Sequence, residues 1–147
     1  VYFTLEILKK IDKIVRIDEV YYYYYMSSNS VTRKPYSAKK LDTLNSGLHL
    51  QKIIKETEKD PELLLILQDH ILHKLLFHYK LLNYNPHVDP EYLYRKRVKN
   101  LIKQNYYKNK NHSYYLRFAN YLPLKPFEVL INMNKVKHKL LKTNKFS

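Results

Sequence analysis

The sequence predicts a mainly α-helical protein: a short N-terminal helix and one β-strand, followed by a bundle of about five helices. Three observations carry that expectation. Beyond residue 37, apolar residues recur at helical spacing almost to the end of the 147-residue chain. The stretches "DPEL" at Asp60 and "DPEY" at Asp89 each supply an aspartate N-cap, a proline at the first helical position and a first-turn glutamate. Only "IVRIDEVYYYYYM" has the β-branched and aromatic density of a strand.

Taken in order, residues 1–13 have the pattern of a short amphipathic helix. Phe3, Ile7 and Ile11 recur every fourth position and Leu8 lies beside them. The period then changes to two over about 14–26. Val15, Ile17, Tyr21, Tyr23 and Tyr25 share one face of the expected strand, and Val20, Tyr22, Tyr24 and Met26 share the other. A strand so bulky on both sides needs cover and an edge partner, so the chain is expected to dimerise through it or to cover it with its own helices. "SSNSVTRKP" is a turn and loop by composition.

From Ser37, a candidate N-cap, a helix is expected to about Glu58, with Leu41, Leu44, Leu48 and Ile54 among its apolar positions. Further helices are expected at about 61–83, 90–107, Ser113 to Leu122, and Pro126 to Lys142. The helix at 61–83 is apolar around most of its circumference, the pattern of a central buried helix. The helix at 90–107 carries Arg95, Lys96, Arg97, Lys99 and Lys103, a mostly solvated basic side. Residues 1–36 and 37–147 thus read as two regions, with no internal repeat.

A hydrophobic content of 45% fits a globular chain. The net charge of +14 points to an anionic partner. It is also what an A/T-rich coding bias produces, since lysine, asparagine, isoleucine and tyrosine are all abundant. With no cysteine there is no disulfide framework and no thiolate nucleophile or ligand. The single glycine, Gly47, falls inside an expected helix, so no glycine loop can cradle a phosphate. There is no serine elbow and no Asp-x-Asp pair. His70 and His73, with Asp69, share one arc of a helix and are the metal check. Lys74 and Lys80 lie in the same arc, so a solvated polar face is the reading taken and no metal site is expected. His78, among leucines, reads as a hydrogen-bonded core residue.

No stretch has the length and apolarity of a transmembrane helix, and the opening "VYFTLEILKK" lacks the pattern of a signal peptide. In "QNYYKNKNHSYYLR" tyrosine alternates with lysine. However, no nucleic-acid-binding motif accompanies it, so nucleic acid is the disfavoured partner. Near the C-terminus Val129, Met133, Val136 and Leu140 make a stripe, with Lys135, Lys137, Lys139 and Lys142 crowding the remainder. That pattern suits a helix on an anionic membrane surface, or equally one packed on the bundle with a basic outer face.

The stretch "FTLEILKKIDKIVRIDEVYYYYYMSSNSVTR" resembles, in order and spacing, the end of the catalytic domain of family 2 (GT-A) glycosyltransferases of bacterial surface-polysaccharide synthesis. Phe3 to Lys13 resembles the helix that follows the family's Glu-Asp pair, Ile14 to Tyr25 the next strand, and Ser30-Val31-Thr32 the family's "S-I-T" turn. Tyr25 stands where the family pattern has arginine, and Arg33 is the nearby substitute. The match covers about 35 residues well, and the rest of the chain only in helical character.

The resemblance implies that residues 1–36 are a remnant of a catalytic domain and that 37–147 are the helical region after it. It implies a parent that transfers a sugar from a nucleotide-sugar donor to a glycan or lipid-linked acceptor. In that parent a divalent metal, Mg or Mn, and the catalytic base lie upstream of Val1, so this chain alone is expected to be inactive and to hold no cofactor. Tyr23, Tyr25, Ser30, Thr32 and Arg33 are the substrate-side candidates. Lys135, Lys137, Lys139 and Lys142 are the membrane-surface candidates, on a cytoplasmic protein at the inner face of the plasma membrane. The alternative is a free-standing basic helical module that binds nucleic acid or another anionic surface.

Overall fold

The computed structural model describes Ile7, positions 10–16, Asp18, Glu19 and positions 34–143, with side chains as far as Met133. The chain divides into two compact units, Val1–Pro35 and Tyr36–Ser147. In the first, Ile7 is helical and its carbonyl accepts the Lys10 N–H at 2.8 Å. The expected strand at 14–26 and the strand-mediated dimer fall largely outside the described residues. Its described positions, 14–16, Asp18 and Glu19, carry no strand, and Arg16 pairs instead with Asp18 at 3.1 Å.

The described residues of the second unit are mainly helical and form a bundle: α1 Asp42–Thr57, α2 Pro61–Tyr84, α3 Leu93–Asn105, α4 Tyr114–Tyr121 and α5 Leu124–Thr143. The α1 helix is entered through a 3-10 turn, Ala38–Leu41, rather than from a Ser37 cap. Ser37 is extended and its hydroxyl makes no capping bond; its carbonyl accepts from the Lys40 N–H instead. The α2 helix starts as its sequence dictates, with the Asp60 carboxylate accepting the Glu62 N–H at 2.9 Å ahead of Pro61 at N1. The Ser113 hydroxyl caps α4 through the Leu116 N–H, and Pro126 is accommodated in the first turn of α5.

The core is a layer of apolar side chains from all five helices, centred on α2. Ile71, Leu72, Leu75, Leu76, Tyr79 and Leu82 meet Leu44 of α1, Val98 and Ile102 of α3, Leu116 and Ala119 of α4, and Phe127 and Ile131 of α5. Tyr79 and Phe127 meet at a tilt of 47°, with ring centroids 5.0 Å apart. Helix α2 is not buried along its whole length. Gln68 donates its amide to the Asn105 carbonyl at the end of α3. In the turns before that point Leu63, Leu65 and Ile66 are exposed, Ile66 by 58%. An all-round apolar pattern therefore marks the centre of the bundle only over the second half of the helix.

Two further expectations are corrected. The helix expected at 90–107 begins at Leu93 and ends at Asn105. The basic side expected to be solvated is not wholly so: Arg95 is 3% exposed and Lys99 5%. Each is buried because it has fixed partners, described next. Among the described residues no helix is long and apolar enough to cross a membrane.

Candidate functional site

Four polar assemblies are built into the helical unit, and three of them are committed to holding it together. At the start of the unit, the Tyr36 hydroxyl and the Thr43 hydroxyl sit on the two ring nitrogens of His78, at 3.0 and 3.2 Å. The Thr43 hydroxyl donates its proton to the Lys40 carbonyl at 2.7 Å, so it must accept from His78 Nε2–H. His78 Nδ1 then accepts from Tyr36. Burial, helped by the charge of Lys74, holds the His78 pKa below its ordinary value and favours this neutral tautomer. Burial raises the Tyr36 phenol to about 12. His78 is the hydrogen-bonded core residue that its leucine surroundings predict.

The second assembly centres on Arg95. Its Nε donates to Asp89 Oδ2 at 3.0 Å, its Nη2 to the Asp89 carbonyl at 2.6 Å, and its Nη1 to Glu128 of α5 at 3.0 Å. The Asp89 carboxylate also accepts the backbone N–H of Tyr94 and of Arg95. Tyr92 covers the guanidinium, its ring centroid 3.9 Å away. The Tyr79 hydroxyl is enclosed beside Glu128 without closing a hydrogen bond among the described residues. Burial first, and then the Glu128 carboxylate, pushes its pKa above the ordinary tyrosine range.

In the third, Lys99 reaches through the bundle to the Ala119 carbonyl at 2.7 Å, satisfying one of the orphan acceptors at the end of α4. Burial lowers its pKa.

The fourth assembly shapes the loop between α3 and α4 and a pocket beside it. His112 is buried at the end of the loop and donates Nε2–H to Asp69 of α2 at 2.9 Å. Tyr107 packs edge-on to the imidazole at 4.7 Å and Tyr106 leans on it at 5.4 Å. Partial burial opposes ionisation of Asp69. Hydrogen bonding from Tyr107 and His112, with the charges of His112 and His73, outweighs it and lowers the pKa. The other ring nitrogen of His112 is enclosed and without a hydrogen-bond partner among the described residues. The pair therefore clips the loop to α2.

Three more bonds shape the loop. Asn109 donates to the Tyr107 hydroxyl and accepts the Asn111 N–H, and Arg117 donates to the Lys110 carbonyl at 2.7 Å. Against this frame lies a pocket of about 210 Å³ lined by Tyr106, Lys108, Asn109, Lys110, Arg117 and Tyr121. Tyr106 and Tyr121 meet edge to face, 6.1 Å between centroids. Among the described residues no carboxylate lines it.

Set against these assemblies, the substrate-side candidates Tyr23, Tyr25, Ser30, Thr32 and Arg33 lie outside the described residues. Lys135, Lys137, Lys139 and Lys142 fall within α5, and their side chains are not described. The apolar stripe that precedes them is open where it is described. Val129 is 59% exposed and Met133 66%, while Phe127 and Ile131 form the face that α5 buries. The Asp69, His70 and His73 arc brings no ligand set together. His73 Nδ1–H donates to the Asp69 carbonyl, and no group of three or more His, Asp or Glu stands together to hold a metal among the described residues.

The loop pocket was signalled in part by the tyrosine and lysine alternation of "QNYYKNKNHSYYLR". The His112–Asp69 clip had no sequence signal, since 43 residues separate its partners. No family model, no curated protein and no solved structure matches this chain.

Proposed function

We propose that this chain is the C-terminal region of a bacterial family 2 glycosyltransferase of surface-polysaccharide biosynthesis. In that reading it supplies acceptor-side, membrane or partner contacts and performs no turnover alone. The parent transfers a sugar from a nucleotide-sugar donor to a glycan or lipid-linked acceptor at the inner face of the plasma membrane. Its divalent metal and catalytic base belong to the portion before Val1, and no step of the reaction is assigned to residues of this chain.

The stretch from Phe3 to Arg33 supports the family, and one structural observation supports the binding role. The buried polar side chains Gln51, His78, Asp89, Arg95, Lys99 and His112 all hydrogen-bond within the helical unit. The polar groups left facing a ligand at the pocket are cations, an amide and tyrosines, a set suited to holding an anion and not to general acid–base work at neutral pH. The exposed Val129 and Met133, followed by the lysines of α5, supply a surface for lipid headgroups.

The decisive test is the reading frame upstream of the Val1 codon. An open frame carrying an Asp-x-Asp and, just before Val1, a Glu-Asp pair is the expected result. A stop codon or a local start there overturns the proposal. The pocket's cations and tyrosines also favour a second reading, a basic module for single-stranded nucleic acid. That reading requires tight binding of a random oligonucleotide that collapses as salt rises.

A further inference from the structure

The pocket between α3 and α4 combines three features that do not follow from one another. Lys108, Lys110 and Arg117 place three cations around it, and no carboxylate stands among the described lining residues. Tyr106 and Tyr121 stand edge to face at 71°, so aromatic surface borders the cations. The loop is also shaped before any ligand arrives: by His112 on Asp69, by Asn109 on its neighbours, and by Arg117 on the Lys110 carbonyl. A preorganised loop loses less entropy on binding than a mobile one.

Size then limits the occupant. At about 210 Å³ the pocket is smaller than the roughly 300–1,000 Å³ of sites for drug-sized ligands. A whole nucleotide sugar is too large for it. One ring and one phosphate fit that scale.

We propose that this pocket binds a phosphate monoester carried on a single ring. The phosphate meets Lys108, Lys110 and the remaining donors of Arg117, and the ring packs against Tyr106 and Tyr121. A hexose phosphate and a pentose phosphate share that chemistry. The binding role proposed above is its starting point, but the pocket is tested on this chain alone, whatever the upstream reading frame contains.

The experiment is an amide NMR titration of the full chain at low salt with glucose 1-phosphate, ribose 5-phosphate and inorganic phosphate. Amides of 106–110, Arg117 and Tyr121 are expected to shift together and saturate. One of the ring-bearing probes should bind at least about fivefold more tightly than inorganic phosphate, the margin expected of one aromatic contact. The tighter of the two names the ring. Lys108→Gln and Tyr121→Ala change exposed side chains outside the bonds that shape the loop, and each should weaken binding about threefold to tenfold. Equal binding of all three probes, shifts scattered over other lysines, or unchanged affinity in both variants overturns the proposal. So does binding of a single-stranded oligonucleotide with no response to the monoesters.

Discussion

The same three residues, Asp-Pro-Glu, occur at Asp60 and at Asp89, and they do different things. At Asp60 the helix starts at once: the carboxylate accepts the Glu62 N–H, proline occupies N1, and the group is exposed. At Asp89 the helix is delayed to Leu93, and Pro90 and Glu91 lie in a turn. There the carboxylate reaches past the turn to the Tyr94 and Arg95 N–H groups and to the Arg95 side chain. Tyr92, at φ 61°, takes the left-handed conformation that lets the chain close the loop. The local capping preference is the same in both places. Burial of an arginine decides between the outcomes, because a desolvated guanidinium must have its carboxylate close by.

That difference is largest in the cost of losing the carboxylate. Asp89→Ala leaves Arg95 buried with only Glu128 and the Asp89 carbonyl as partners, and should cost about 3–5 kcal/mol in urea denaturation. Asp60→Ala removes one exposed cap and should cost about 1 kcal/mol. Equal losses would break the comparison and make Asp89 an ordinary cap.

Tyr92 sharpens it further. Tyr92→Leu keeps the unfavourable backbone and removes the ring over Arg95, at a cost of about 0.5–2 kcal/mol. Tyr92→Gly loses the same ring but relieves about 1–2 kcal/mol of left-handed strain, so it should be the milder change. If glycine were the worse of the two, the strain argument would fail.

Acid titration tests the first polar assembly, the one built on His78. The folded pKa of His78 lies below its ordinary 6.5, so below that pH the unfolded chain takes up the proton more readily. Stability should therefore be full above about pH 6.5 and fall as the pH drops from there toward the folded pKa. His78→Gln should flatten that slope, and a slope unchanged by the substitution would place the titration elsewhere.

Much of the helical framework was legible from local pattern. Asp60 caps as its sequence position predicts, the helix expected from Ser113 starts there, and the apolar spacing of α2 located the centre of the core. The errors share a cause. Arg95 and Lys99 look like members of a solvated basic face because periodicity counts charge as exposed. Their burial depends on Asp89, Glu128 and the Ala119 carbonyl, which only packing brings together. The loop pocket was half legible for the same reason. Its tyrosines and lysines are adjacent in sequence, but the clip that shapes their loop joins His112 to Asp69 on another helix.

The sequence by itself determined the helical class of residues beyond 37, the starts of α2 and α4, and a basic, cysteine-free surface. These are short-range matters, settled by capping side chains, proline and apolar period within a turn or two of each residue. Only the tertiary structure decided which charges are buried, where α3 begins, and which cations and tyrosines surround one pocket. Those outcomes depend on desolvation. A charge leaves water only where distant parts of the chain supply its partners, and no local pattern records that.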